Sequence, residues 1–139
     1  DYLRPSGVYT NHFQRPGPPT GREAPAIFKR NGRYYMITSG TTGWACNEAL
    51  YAVAGKIHGP WTEKGNPCIG LNAEKTFVAQ STYVLPVAGK SDAFIFMADR
   101  WNNENLRESR YVWLPVQFTA DGIRLEWMDE WSLSFFHVK

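Results

Sequence analysis

Glu23 is the residue of this chain best placed to move a proton. It stands in Arg22-Glu23-Ala24-Pro25-Ala26, after the proline- and glycine-dense loop Arg15-Pro16-Gly17-Pro18-Pro19-Thr20-Gly21 and before an apolar run. A carboxylate at a strand mouth, followed by a proline that fixes φ, is held still enough to serve as a general acid. Fifty-seven positions later the pattern returns as Ala79-Gln80-Ser81-Thr82-Tyr83-Val84-Leu85, with the amide of Gln80 where the carboxylate stood.

Other side chains can bind rather than react. Trp44 follows Thr42-Gly43 on a loop after a strand, where an aromatic ring can meet the face of a sugar. Asp99-Arg100-Trp101 ends a strand, so Arg100 can donate to hydroxyls, Asp99 accept from them, and Trp101 offer a second platform. Arg110 beside Tyr111, and Asn47 before Glu48, are further candidates to line a pocket. Each has a plainer alternative. Glu23 can pair with Arg22, Gln80 can bond a strand end, and Asp99 can pair with Arg100. Trp61 and Trp127 answer each other in the repeat and read as core. His12, His58 and His137 share no metal-ligand spacing, so no metal site and no cofactor is expected.

The elements that must position these residues are strands. Ala26–Lys29 and Arg33–Ser39 flank Asn31-Gly32, a dipeptide that accepts positive φ at both positions and signals a hairpin. Ala49–Ala54 follows, and His58-Gly59-Pro60-Trp61-Thr62 turns into a short fourth strand or edge. The second half repeats the order: Thr82–Val87, Ala93–Ala98, Tyr111–Val116 and Ile123–Trp127, with turns at Gly89–Asp92 and Asp121-Gly122. Matching strands lie about 57 to 66 residues apart, and no segment shows a helical period of ten residues or more. Two four-stranded units in one order suggest a β-propeller. The expected organisation is 1–21 as the end of a preceding blade and its loop, 22–75 as one blade and 76–139 as another.

Composition agrees with a globular chain and excludes several classes. The 139 residues suffice for one core, hydrophobics make up 43% and charged residues 20%. A net charge of +2 gives no nucleic-acid footprint. No run of 18 apolar residues predicts a membrane span. Aromatics reach 15%, with six Trp and seven Tyr, which suits sugar stacking as well as β-core packing. Cys46 and Cys68 lack zinc spacing and read as free structural cysteines rather than a pair. The chain opens at Asp1-Tyr2-Leu3 without an initiating Met and is read as the C-terminal part of a longer protein, since two blades leave open edges.

Several motifs together resemble glycoside hydrolase family 43, and most of all its exo-β-1,3-galactanase branch. They are Arg22–Lys29, Tyr34–Gly40, Thr42-Gly43-Trp44, Gly59-Pro60-Trp61, Gln80-Ser81-Thr82, Met97–Trp101 and Ser109–Pro115. The resemblance implies an all-β, five-bladed β-propeller, of which this chain would cover about two blades plus the end of a third. It implies inverting hydrolysis, with a general acid on the leaving oxygen and a base activating water on the opposite face. Glu23 matches the family's acid, and Gln80 matches the position where the galactanase branch carries an amide. Such an amide can orient water or act through an imidic-acid tautomer, and the residues leave both open. A pKa-tuning carboxylate and, in most branches, an aspartate base would lie on blades outside this chain.

The expected function is therefore release of galactose from the non-reducing end of a β-1,3-galactan, by a secreted or periplasmic enzyme acting on poly- or oligosaccharide. The alternatives are an α-L-arabinofuranosidase or β-xylosidase of the same family, a noncatalytic carbohydrate-binding propeller, or an inactive fragment.

Overall fold

Asn31 and Gly32 adopt φ values of 48° and 77°, so the dipeptide makes the tight turn that its type predicts. It joins β1 (Arg22–Arg30) to β2 (Arg33–Gly40), with Phe28 opposite Tyr35 and Arg30 opposite Arg33. β3 (Leu50–Ala54) and β4 (Thr62–Gly65) complete an antiparallel sheet in simple sequential order. These features belong to a computed structural model that describes residues 3–17 and 20–136. Asp1, Tyr2, Pro18, Pro19, His137, Val138 and Lys139 lie outside the described residues.

The second sheet holds β6 (Gln80–Pro86), β7 (Phe94–Arg100), β8 (Arg110–Phe118) and β9 (Ile123–Glu126), again antiparallel and in order. It also gains β5 (Cys68–Ile69), which lies parallel to β9. Those two residues fall within the stretch 22–75, yet they pair with the second sheet. The crossing strand ties the outer edge of the second unit to the chain leaving the first. Short 3₁₀ turns at Ala73–Lys75, Leu106–Glu108 and Leu133–Phe136 are the helical segments among the described residues.

Alternating residues of β1 and continuous buried runs in β2 and β7 build the core. Ala26, Phe28, Tyr35 and Ile37 of the first sheet meet Val84, Phe94, Phe96, Ala98 and Leu114 of the second. Phe28 stacks on Tyr35 with centroids 5.0 Å apart and touches Phe94 at 5.2 Å. Burying an aromatic or aliphatic side chain of this kind contributes roughly 1.5–3 kcal/mol. Across the same seam Arg30 bonds Asp92 in a two-pronged ion pair, and its guanidinium lies 4.0 Å over the Phe118 ring. Gly122 comes so near Tyr51 that an added Cβ would stand 1.9 Å from the phenolic oxygen.

Trp127 packs against this core, as its place in the repeat predicts. Trp61 does not join it. It is half-buried, and its ring lies edge-on to His12 of the N-terminal segment at 6.4 Å instead. Cys46 and Cys68 are free thiols.

Both sheets break register at the same place. In β1, Glu23 faces Ser39 and Ala26 faces Ile37, so Ala24 and Pro25 together oppose one residue. In β6, Ser81 faces Ala98 and Tyr83 faces Met97, leaving Thr82 extra. Bulges re-aim the side chains beside them and accommodate a proline that donates no ladder bond. Ala24 takes φ 51° to make its bulge, and its carbonyl accepts from Ser81 Oγ at 2.7 Å. The two bulged strand ends are thereby bonded to each other.

Candidate active site

Glu23, Ser39 and Gln80 meet at that junction. Gln80 Nε2 donates to Glu23 Oε1 at 2.9 Å and to Ser39 Oγ at 3.0 Å. Glu23 and Gln80 are half-buried and Ser39 is buried. The bulges lie next to both residues: the register breaks just after Glu23 in β1 and just after Ser81, the neighbour of Gln80, in β6.

Arg22 points elsewhere. Its guanidinium donates to Thr38 Oγ1 at 3.1 Å, to the Thr38 carbonyl at 2.9 Å and to the Glu48 carbonyl at 3.0 Å. Burial, together with the neighbouring Arg15, lowers its pKa from the usual arginine value. No Arg22–Glu23 ion pair forms among the described residues, so the reading of Glu23 as a simple surface partner of Arg22 is set aside.

Asn47 closes the loop beyond β2. Its Oδ1 accepts from the Gly40 amide at 2.7 Å, and its Nδ2 donates to the Gly40 carbonyl at 2.9 Å and Thr42 Oγ1 at 2.6 Å. Both ends of this side chain are used within its own loop. The Asn47 carbonyl accepts from Thr76 Oγ1 at 2.7 Å, which connects the loop to the turn before Gln80.

That turn is strained. Thr76, Phe77 and Val78 follow one another at φ 52°, 61° and 59°, a left-handed run that non-glycine residues rarely adopt. Each such residue costs on the order of 1–3 kcal/mol and persists only where its surroundings over-determine it. Here Thr76 and Phe77 are buried, the Phe77 amide donates to the Asn72 carbonyl at 2.8 Å, and Arg100 Nη2 donates to the Phe77 carbonyl. Arg100 also lies 5.1 Å over the Trp127 ring. Its guanidinium is thus engaged in holding the turn that delivers Gln80.

The remaining candidates divide. Asp99 faces Gln80 across the β6–β7 ladder and is exposed, without an ion pair to Arg100 among the described residues. Trp44 and Trp101 come together edge-to-face at 5.9 Å, and Trp101 Nε1 donates to the Trp44 carbonyl at 3.2 Å. Trp44 is 62% exposed, so its ring is open to a ligand. Arg110 is exposed and turned onto its own loop, bonding Glu108 and the Glu108 and Ser109 carbonyls.

Sequence reasoning missed Ser39 and the Thr76–Val78 run as parts of the site. A signal for Ser39 existed: counting back from the Asn31-Gly32 turn brings it near Glu23. The left-handed run carries no glycine to mark it.

A carboxyl group held by an amide and, on the loop after β2, an exposed tryptophan, on a repeated all-β scaffold, fit the class of carbohydrate-active enzymes. No family model and no curated protein sequence matches the chain. Solved structures do match. The GH43 β-1,3-galactosidase BT3683, solved with galactodeoxynojirimycin, is 51% identical over 81% of this chain and 32% of its own, with a TM-score of 0.77. The exo-β-1,3-galactanase 1,3Gal43A from Clostridium thermocellum is 38% identical over 75% of this chain and 23% of its own, at TM-score 0.65. A variant exo-β-1,3-galactanase from Phanerochaete chrysosporium, solved with β-1,3-galactotriose, is 34% identical over the same two shares, at TM-score 0.65. The chain belongs to glycoside hydrolase family 43, alongside its β-1,3-galactosidases and exo-β-1,3-galactanases. It spans about a third or less of the length of these relatives.

Proposed function

We propose that this chain is the C-terminal part of an inverting, exo-acting β-1,3-galactanase, contributing two blades and the end of a third to a five-bladed propeller. The observation that carries the reading is the 2.9 Å bond from Gln80 Nε2 to Glu23 Oε1, on a chain 51% identical to a β-1,3-galactosidase. Glu23 protonates the leaving oxygen. Gln80 holds the carboxyl that does so.

The distance also limits the roles. Acid and base of an inverting pair stand about 6.5–9.5 Å apart to admit the sugar and a water. Glu23 and Gln80 are in direct contact, so they are not such a pair as they stand. The carboxylate that tunes Glu23 and, as in most branches of the family, an aspartate base would belong to the remaining blades of the full-length protein. Trp44, seated on Trp101, offers an aromatic face to a galactosyl ring. A polysaccharide substrate goes with a secreted or periplasmic location.

The test is sugar release by the full-length protein from β-1,3-galactan, from aryl arabinofuranoside and from aryl xyloside. Galactose as the product supports the reading. Pentose release alone would replace it with the arabinofuranosidase/xylosidase alternative, for which an 18% identical β-xylosidase/α-arabinofuranosidase at TM-score 0.52 supports a shared fold only. Sugar binding without any release would leave a noncatalytic binding protein.

A further inference from the structure

We propose that Ser39 is a positioning residue that sets which end of the Gln80 amide faces Glu23. The inference rests on the acid role of Glu23 given above.

The donor and acceptor directions around Asn47 follow from groups that have no choice. The Gly40 backbone N–H can only donate, so the Asn47 atom 2.7 Å away must be its oxygen. Asn47 Nδ2 then faces the Gly40 carbonyl and Thr42 Oγ1, both of which accept. The Thr42 hydroxyl sends its own proton to the Ala45 carbonyl, which leaves its oxygen free to accept from Asn47. Ser39 Oγ therefore has only acceptors on its own side of the site, the Gly40 carbonyl at 2.9 Å and Asn47 Oδ1 at 3.4 Å. Its single proton is donated to the nearer of these, the Gly40 carbonyl. Toward Gln80 it offers lone pairs.

Only the nitrogen end of Gln80 can meet those lone pairs. Ser39 thus turns the amide nitrogen inward, and the second N–H reaches Glu23 Oε1. Reversing the amide would set its oxygen against the Ser39 lone pairs and the Glu23 carboxyl together. Two consequences follow. The Glu23 oxygen that accepts from Gln80 is Oε1, so the transferable proton is carried on Oε2. Both N–H groups of Gln80 are engaged, so the amide tautomer is the one favoured, and its Oε1 is the end left to accept from water or a sugar hydroxyl.

The experiment compares the full-length protein with Ser39→Ala, Ser39→Thr and Gln80→Glu on β-1,3-galactan. Ser39→Ala is expected to lower kcat about tenfold, the effect of one hydrogen bond, with KM within about twofold. Ser39→Thr restores most of the loss because it returns the hydroxyl. Gln80→Glu loses turnover by about a hundredfold or more, since an ionised carboxylate cannot donate to Glu23. Parental kcat in Ser39→Ala overturns the inference, as does a Gln80→Glu variant as fast as the parent. Should Ser39→Ala not fold, an active Ser39→Thr with a silent Gln80→Glu supports it and an active Gln80→Glu refutes it. A parent that releases no galactose refutes the functional reading instead, so the two failures are distinct.

Discussion

Gln80 donates to Glu23 across the seam between two sheets, and the two residues occupy equivalent positions 57 residues apart in the repeat. The same interval links Ser81 to Ala24 and Trp101 to Trp44. Equivalent strand ends of neighbouring units converge on one point, so a duplicated scaffold places a carboxyl and an amide face to face. Glu at one position and Gln at its counterpart set a carboxyl beside an amide that donates to it.

Glu23→Gln in the full-length protein should remove nearly all turnover while galactooligosaccharide binding persists. The substitution keeps shape but abolishes the transferable proton, and positioned acids contribute about a hundredfold to ten-thousandfold. Rates from single-turnover assays set beside a binding isotherm check it. Near-normal turnover would sink the assignment of Glu23.

Trp44→Ala should raise KM more than it lowers kcat. Trp44 is 62% exposed, and its ring is braced edge-on by Trp101. Losing a stacking contact of about 0.5–1.5 kcal/mol predicts an affinity loss of a few- to about tenfold. An unchanged KM would remove Trp44 from the sugar-binding surface.

The Arg30–Asp92 pair should make stability depend on acid pH. The hydrogen bond from Arg30 holds the Asp92 carboxyl below its usual pKa. A depressed carboxylate contributes stability above its unfolded pKa of about 3.9, and that contribution is lost as pH falls through the lower folded value. Asp92 is half exposed, so solvent screening keeps the effect within the range of exposed pairs, roughly 0.2–1 kcal/mol. Asp92→Asn should therefore melt slightly lower than the parent at neutral pH, and the gap should close near pH 2. No gap at neutral pH would mean that the ion pair adds nothing beyond the Arg30–Phe118 contact, which both proteins keep.

The two cysteines should differ in reactivity. Burial pushes the Cys68 thiol up to about 12, and Glu48 adds to the shift. Burial raises the Cys46 thiol too, against the pull of Arg100 and Lys75, but this residue is only half-buried. Alkylation of the native protein near pH 8, read by peptide mass spectrometry, should modify Cys46 first and reach Cys68 only after denaturation. Equal labelling would place Cys68 outside the core.

Gly122→Ala should destabilise by about 1–3 kcal/mol, as overpacking does. The new methyl group would meet the Tyr51 hydroxyl, and φ at this position is 152°. A melting curve matching the parent would show that the β8–β9 turn can retreat from Tyr51.

The sequence by itself determined what depends on near neighbours. Strand alternation, the positive-φ turn at Asn31-Gly32 and the two-unit repeat are local patterns, because a turn or a strand face is fixed by residues a few positions apart. Glu23 and Gln80 were legible as a pair for the same reason: the repeat is written in the chain. What they do to each other was not. The Gln80–Ser39 contact joins residues 41 positions apart, and the commitment of Arg22 to Thr38 rather than Glu23 depends on a bulge whose extra residues have no fixed signature. The strained turn at Thr76–Val78 exists only because Arg100, Asn47 and Asn72 hold it from outside. β5 leaves the first sheet for the second because the free edge of β9 is there to receive it. Those choices are made by packing two sheets against each other, where the burial of distant side chains outweighs local preference.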